Sequence, residues 1–162
     1  MKYLALKTST LSIVLITILL LSCRSGVQDE VHENPEAAHK ILITGTSSDF
    51  KAIIIQGLLE RYGETCQIEI LPSDDLIGIE SADYSAIVIM DELRMGRTFT
   101  GKPRELARQV DDKRKVILFI TAGKEDWQFS AEGIDAITAA SEVGRAGEVL
   151  EQIAERIDWL VE

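Results

Sequence analysis

Residues 40–162 predict a doubly wound α/β domain, a five-stranded parallel sheet in the order 2-1-3-4-5 with helices on both faces. Three observations carry that expectation. Short apolar runs alternate with stretches of helical period along the whole segment. Most of those runs are apolar at successive positions, as strands covered on both faces require. The segment is 123 residues long, the size of one domain, and shows no internal repeat.

The elements follow in order. Lys40-Ile41-Leu42-Ile43-Thr44 reads as a buried first strand. Phe50, Ile53, Ile54, Leu58, Leu59 and Tyr62 then recur at helical spacing behind a Ser47-Ser48-Asp49 capping signal. Cys66 to Leu71 form a second strand, Ala86 to Met90 a third and Val116 to Ile120 a fourth. Pro103 begins a helix that runs through Leu106, Ala107 and Val110. Ile134 to Thr138 is a weaker fifth strand, and residues 72–85 hold at most a short or degenerate helix. The last helix places Leu150, Ile153, Ala154, Ile157, Leu160 and Val161 on one stripe. In such a sheet ligands bind outside the carboxyl ends of the strands, which here selects the loops 45–51, 91–101 and 121–130.

The start of the chain carries a different signal. Lys2 and Lys7 precede an apolar run from Leu11 to Leu21, interrupted only by Ser12 and Thr17. The run is shorter than the roughly 20 residues that cross a bilayer, so it reads as the core of a signal peptide spanning residues 1–22. It ends in Leu20-Leu21-Ser22-Cys23, which resembles the lipobox of bacterial lipoprotein precursors. The resemblance implies cleavage before Cys23, diacylglycerol on its sulfur and acyl chains such as palmitate holding the protein on a membrane. An uncleaved anchor, or a plain signal peptide with an incidental cysteine, is the alternative. The expected location is extracytoplasmic, on the cell membrane or the outer membrane; Arg24 after the cysteine favours the outer one in a host with two. Residues 23–39 would be the lipidated cysteine and a polar acidic tether reaching roughly 20 Å.

Loss of residues 1–22 removes two of the 17 basic residues and none of the 27 acidic ones, leaving a net charge of −12. That charge excludes a nucleic-acid partner on electrostatic grounds and keeps the domain from lying flat on anionic lipid. Cys66 is then the single unmodified cysteine, so no intramolecular disulfide forms, and its strand setting reads as a buried inert thiol. His32 and His39 precede residue 40, which leaves the expected domain without a histidine base or metal ligand. No Cys-x-x-Cys or Gly-x-Ser-x-Gly motif occurs.

The first selected loop is Gly45-Thr46-Ser47-Ser48-Asp49-Phe50-Lys51. Hydroxyls at a helix N-terminus either cap the helix, as Ser47 or Ser48 would, or receive a phosphate. The loop resembles the phosphate loop of flavodoxins, Gly-Ser/Thr-x-Thr-Gly-x-Thr, with Thr46, Ser47 and Ser48 at its hydroxyl positions. Asp49 stands at the family's second glycine and Lys51 at its final threonine, where it can restore positive charge. The second loop, Asp91-Glu92-Leu93-Arg94-Met95-Gly96-Arg97, is similar to the Ile-Arg-x-Gly stretch of menaquinone-dependent protoporphyrinogen oxidases. Lys115-Val116-Ile117-Leu118-Phe119 matches the strand that follows there. This likeness implies that residues 93–97 run beside an isoalloxazine ring, with Arg94 and Arg97 either favouring an anionic flavin or standing as solvated surface charges. The third loop supplies Ala122, Gly123 and Trp127, which would border the same ring, although an aromatic there also serves as a hydrophobic plug. The segment 133–141 is similar to the fifth-strand segment of flavodoxin-like domains.

A response-regulator receiver shares the topology, but Gly45-Thr46-Ser47 supplies none of its acids after strand 1. Two readings follow. One is a membrane-tethered FMN protein in electron transfer or redox chemistry, with a quinone or a redox protein as partner. The other is a flavin-free flavodoxin-like lipoprotein that works as a binding or interaction module.

Overall fold

The computed structural model describes residues 29–123 and 127–162. The signal-peptide region and Cys23 lie outside the described residues. The fold is α/β with a mostly parallel central sheet. Its elements are β1 (Glu30–His32), β2 (His39–Gly45), α1 (Asp49–Tyr62), β3 (Cys66–Pro72), β4 (Ala86–Glu92), α2 (Gly101–Gln109), β5 (Val116–Thr121), β6 (Ser130–Ala131), β7 (Ile134–Asp135), β8 (Ile137–Ala139) and α3 (Ala146–Val161).

The sheet has six strands in the order β1-β3-β2-β4-β5-β8, and β1 is antiparallel to β3 while all other pairs are parallel. This corrects the five-stranded, all-parallel expectation. Glu30-Val31-His32 has no apolar run to betray a strand, because it sits on an exposed edge and joins through its backbone. The stretch read as tether is therefore docked from Glu30 onward. The His32 ring Nε2 donates to the Gly63 carbonyl at 3.1 Å, and Asn34 donates to the Glu64 carbonyl at 2.9 Å. His39 opens β2 and bonds Ser85 Oγ at 3.0 Å, so both histidines belong to the sheet.

The two faces are covered unequally. On one, Phe50, Ile54, Leu58 and Tyr62 of α1 and Val149, Ile153, Ala154 and Ile157 of α3 pack on Ile41, Ile43, Val88 and Phe119. On the other, Leu106 and Ala107 of α2 join Phe99, Tyr84 and Leu76 against Leu42, Ile87, Ile89 and Leu118. No helix connects β3 to β4. Residues 73–75 and 81–83 form single 3-10 turns instead. Their side of β3 is closed by polar contacts, with Glu69 accepting from Tyr84 Oη at 2.7 Å and pairing with Lys40 at 2.7 Å.

Two helical expectations shift. Ile53 is half exposed while Lys51 is buried. With about 100° between successive residues, Lys51 falls among Phe50, Ile54, Leu58 and Tyr62, and Ile53 lies on the rim of that stripe. The expected fifth strand is divided: Ile134–Asp135 pairs with Ser130–Ala131 in a hairpin, and only Ile137–Ala139 joins β5.

The approach of β2 to β4 fixes where the first loop begins. The Thr46 N–H donates to the Met90 carbonyl at 2.8 Å. A Cβ on Gly45, whose φ is +136°, would lie 1.8 Å from that same oxygen. Gly45→Ala is therefore expected to lower stability by at least about 3 kcal/mol through combined strain and strand separation. A denaturant midpoint within error of the parent would refute this account of the crossing.

Candidate functional site

The carboxyl ends of β2 and β4 bound a cleft of about 570 Å³. Thr46 forms one wall, and Asp91, Glu92, Arg94, Met95, Arg97, Thr98 and Thr100 form the other. Helix α1 begins just behind Thr46. Ser48 is its N-cap, accepting from the Lys51 N–H at 3.3 Å. Ser48 thus serves as the capping residue, Ser47 and Asp49 face solvent, and Thr46 is partly buried.

Lys51 is the unexpected member of this loop. It is 1% exposed although it lies in the first helical turn, and its Nζ donates to Thr46 Oγ1. Among the described residues it forms no ion pair. Burial drives its pKa down from 10.5 to about 8; Glu92 and then Asp91 oppose the shift, and Arg94 adds to it. Its ammonium also sits at the positive end of the α1 macrodipole, an unfavourable place for a cation. This arrangement is the kind that an anion would relieve.

The 94–97 segment is a two-residue hairpin. Arg94 and Arg97 exchange backbone hydrogen bonds of 2.9 and 2.8 Å, and Met95 and Gly96 between them have φ of +49° and +74°. Positive φ at both central residues matches a type I′ turn. Asp91 holds its base: the carboxylate accepts from Glu92 N–H at 2.8 Å, from Thr98 Oγ1 at 3.4 Å and from Phe99 N–H. Arg94 pairs with Glu92 at 2.5 Å, whereas Arg97 forms no ion pair among the described residues. Leu93 N–H is bound to the Thr121 carbonyl at 2.8 Å, tying the loop to β5.

The third loop is placed differently from the expectation. Ala122 N–H bonds the Ala139 carbonyl at 3.0 Å, continuing the sheet. Trp127 stacks on Phe129, with centroids 5.3 Å apart and planes inclined by 19°, and Phe129 meets Phe99 edge-on at 6.4 Å. Thr138 Oγ1 donates to the Trp127 carbonyl at 2.6 Å. The indole thus packs in the α2-side core, and neither it nor Ala122 or Gly123 lines the cleft. Of the residues picked from the sequence, Thr46, Arg94, Met95 and Arg97 are brought together there. Ser47, Ser48, Leu93 and Gly96 lie in the loops behind them, and Lys51 in the first turn of α1. The sequence reasoning missed Asp91, Glu92, Thr98 and Thr100 as wall residues; Asp91 at a strand end with hydroxyls seven and nine residues on was the available signal.

Among the described residues no cluster of His, Cys, Asp and Glu could hold a metal, and no helix is long and apolar enough to cross a membrane. Cys66 is buried in β3, and burial pushes its thiol pKa up.

No protein-family model and no curated protein matches the chain. Among solved structures it is similar to oxidised flavodoxin 2 from Bacillus cereus, with 16% sequence identity and a TM-score of 0.43 over 72% of this chain and 99% of that one.

Lys51 gives a test that needs no ligand. Its folded pKa lies below the unfolded value of 10.5, so the unfolded chain holds more protons between about pH 8 and 10.5. The burden of burying the ammonium is full below pH 8 and falls as pH rises through that window. Tyr62 and Tyr84, whose hydroxyls are pushed above 10, work in the opposite sense only beyond that pH. Lys51→Met should stabilise the protein by roughly 1–3 kcal/mol at pH 7 and show little gain at pH 10. Urea midpoints of parent and variant across pH 6–10 check this; a variant less stable at pH 7 would mean that the ammonium is better satisfied than the contacts imply.

Proposed function

We propose that the chain is a membrane-tethered, flavodoxin-like protein whose cleft binds an anionic cofactor, with FMN the one that the loop residues fit best. The carrying observation is the buried Lys51 ammonium under Thr46, at the N-terminus of α1 and without a carboxylate partner among the described residues. A phosphate beside Ser47 would meet the N–H groups that open α1, the hydroxyls and this cation together, the Thr46 N–H itself being held by Met90. Lys51 occupies the place of the family's last threonine, so a charge replaces a hydroxyl in the loop. FMN, when bound, supplies one- and two-electron chemistry. The chain's own part would be to hold the phosphate through Thr46, Ser47 and Lys51 and to border the ring with the 93–97 hairpin. A quinone or a redox protein is the proposed electron partner. Attachment through acylated Cys23 would keep the domain extracytoplasmic at a membrane surface.

Two observations favour the second reading, a flavin-free interaction module. Trp127 is already stacked on Phe129 and lies outside the cleft, and the acids Asp91 and Glu92 share the cleft wall.

Flavin titration by fluorescence quenching separates the two. The parent should bind FMN but bind riboflavin far more weakly, since the site is built for the phosphate. Lys51→Met should weaken FMN by about tenfold or more, a loss of at least about 1.4 kcal/mol. Asp49→Gly, which removes a like charge from the loop, should tighten it by about 1 kcal/mol. If neither the parent nor Asp49→Gly binds FMN at tens of micromolar, the module reading replaces the cofactor reading.

A further inference from the structure

The direction of β1 decides which end of the domain faces the anchor. Glu30 lies opposite Ile70 and His32 opposite Ile68, so the chain enters the sheet near the carboxyl end of β3 and descends toward the start of β2. The segment before residue 29 therefore meets the domain at the end that carries the cleft. Cys23 is only six residues before Asp29, and six residues reach at most roughly 20 Å when fully extended.

Large apolar side chains project from loops at that same end. Met95 is fully exposed at the hairpin tip beyond β4, and Val143, in the loop leaving β8, is 60% exposed. Ile77, in the loop leaving β3, is 80% exposed, and its segment is held near the start of α2 by Lys102, which donates to the Asp74 carbonyl at 2.5 Å. Three separate connections each offer one such residue, where packing demands none of them. Trp159 marks the opposite end, where the Arg114 guanidinium lies 5.3 Å from its ring centre.

We propose that the carboxyl end of the sheet rests on the lipid bilayer, with Met95 and Val143 in the headgroup layer, Ile77 beside them and the cleft opening toward the membrane. The proposal rests on the anchoring of Cys23 argued above. Charge does not drive the contact. Arg94 is paired with Glu92, and Asp49, Asp74, Asp75 and Glu142 are exposed around the same end. A short tether supplies the proximity, and apolar side chains supply the adhesion. The occupant is therefore a bilayer surface of mainly zwitterionic lipid. Whatever enters the cleft would then come from the membrane side.

The test uses the full-length chain, expressed in a bacterial host and reconstituted in vesicles of phosphatidylethanolamine with a minor share of phosphatidylglycerol. A bimane label is placed through Met95→Cys, Val143→Cys or Trp159→Cys, and quenching by a headgroup nitroxide lipid is measured. Quenching at 95 and 143 should exceed that at 159 several-fold and should not change with added salt. Mass spectrometry of Cys23, and fractionation of Cys23→Ala, report anchoring separately. If Cys23 is acylated but quenching is equal at the three positions, or greatest at 159, the orientation is overturned and the anchor stands. If Cys23 carries no acyl chain and the parent stays in the aqueous phase, the anchor and the orientation both fall.

Discussion

Gly45 and the Met90 carbonyl meet so closely that no side chain can stand between them, and the working end of the molecule depends on that meeting. With a hydrogen atom at residue 45, β2 stays paired with β4 to its last residue, Gly45 opposite Met90. Thr46 then turns out of the sheet with its N–H on Met90, and α1 can start at Asp49 with Ser48 as cap. The same geometry brings the Thr46 hydroxyl over the first turn of α1 and within reach of Lys51. A larger residue at 45 would move all of these groups together. The cleft is thus a consequence of how two central strands end.

Lys51 makes that end chemically distinctive. Most buried lysines find a carboxylate, because an unpaired ammonium in a poorly solvated place is unfavourable. Here Asp91 and Glu92 are near enough to oppose the lowering of the lysine pKa but are engaged elsewhere, one with the base of the hairpin and the other with Arg94. The ammonium is left with a hydroxyl. A residue that served only to fill the α1 stripe would do so better as methionine or leucine, which carry no charge to desolvate. That comparison argues for a role directed at an anion.

How far the sequence revealed this follows from burial. The strands at 40–44, 66–71, 86–90 and 116–120 lie inside the sheet, and their apolar runs announce them. Glu30–His32 joins through backbone bonds on an exposed edge, so no side-chain pattern records it. The weak run at 134–138 hid a change of partner, because Gly133 and Glu132, both at positive φ, fold 130–135 into its own hairpin before β8 joins β5. Helical spacing located α1 but not its inward lysine, since a charged residue is not counted into an apolar stripe. In the second loop, Arg94 and Arg97 were visible as charges. Asp91 shapes the hairpin by accepting from residues seven and eight positions on; its place at a strand end was the one trace of this, because a turn centred on Met95-Gly96 lacks the usual Asn-Gly or Asp-Gly marker. Of the two roles open to Trp127 from the sequence, its packing is that of a hydrophobic plug, stacked on Phe129, which in turn meets Phe99.

The short antiparallel strand matters more than its three residues suggest. In a sheet made only of parallel strands, a chain entering from its N-terminal side would arrive at the amino ends, opposite the ligand loops. One reversed edge strand carries the entry point to the other end at little energetic cost, since an exposed edge is already furnished with unpaired donors and acceptors. His32 and Asn34 then hold the return segment against the end of α1, so the reversal is fixed by side chains as well as by the ladder. An anchor attached before residue 29 would therefore lie on the same side as Thr46, the 94–97 hairpin and Val143. With such an anchor, sheet direction and a short tether together would set the facing of the cleft.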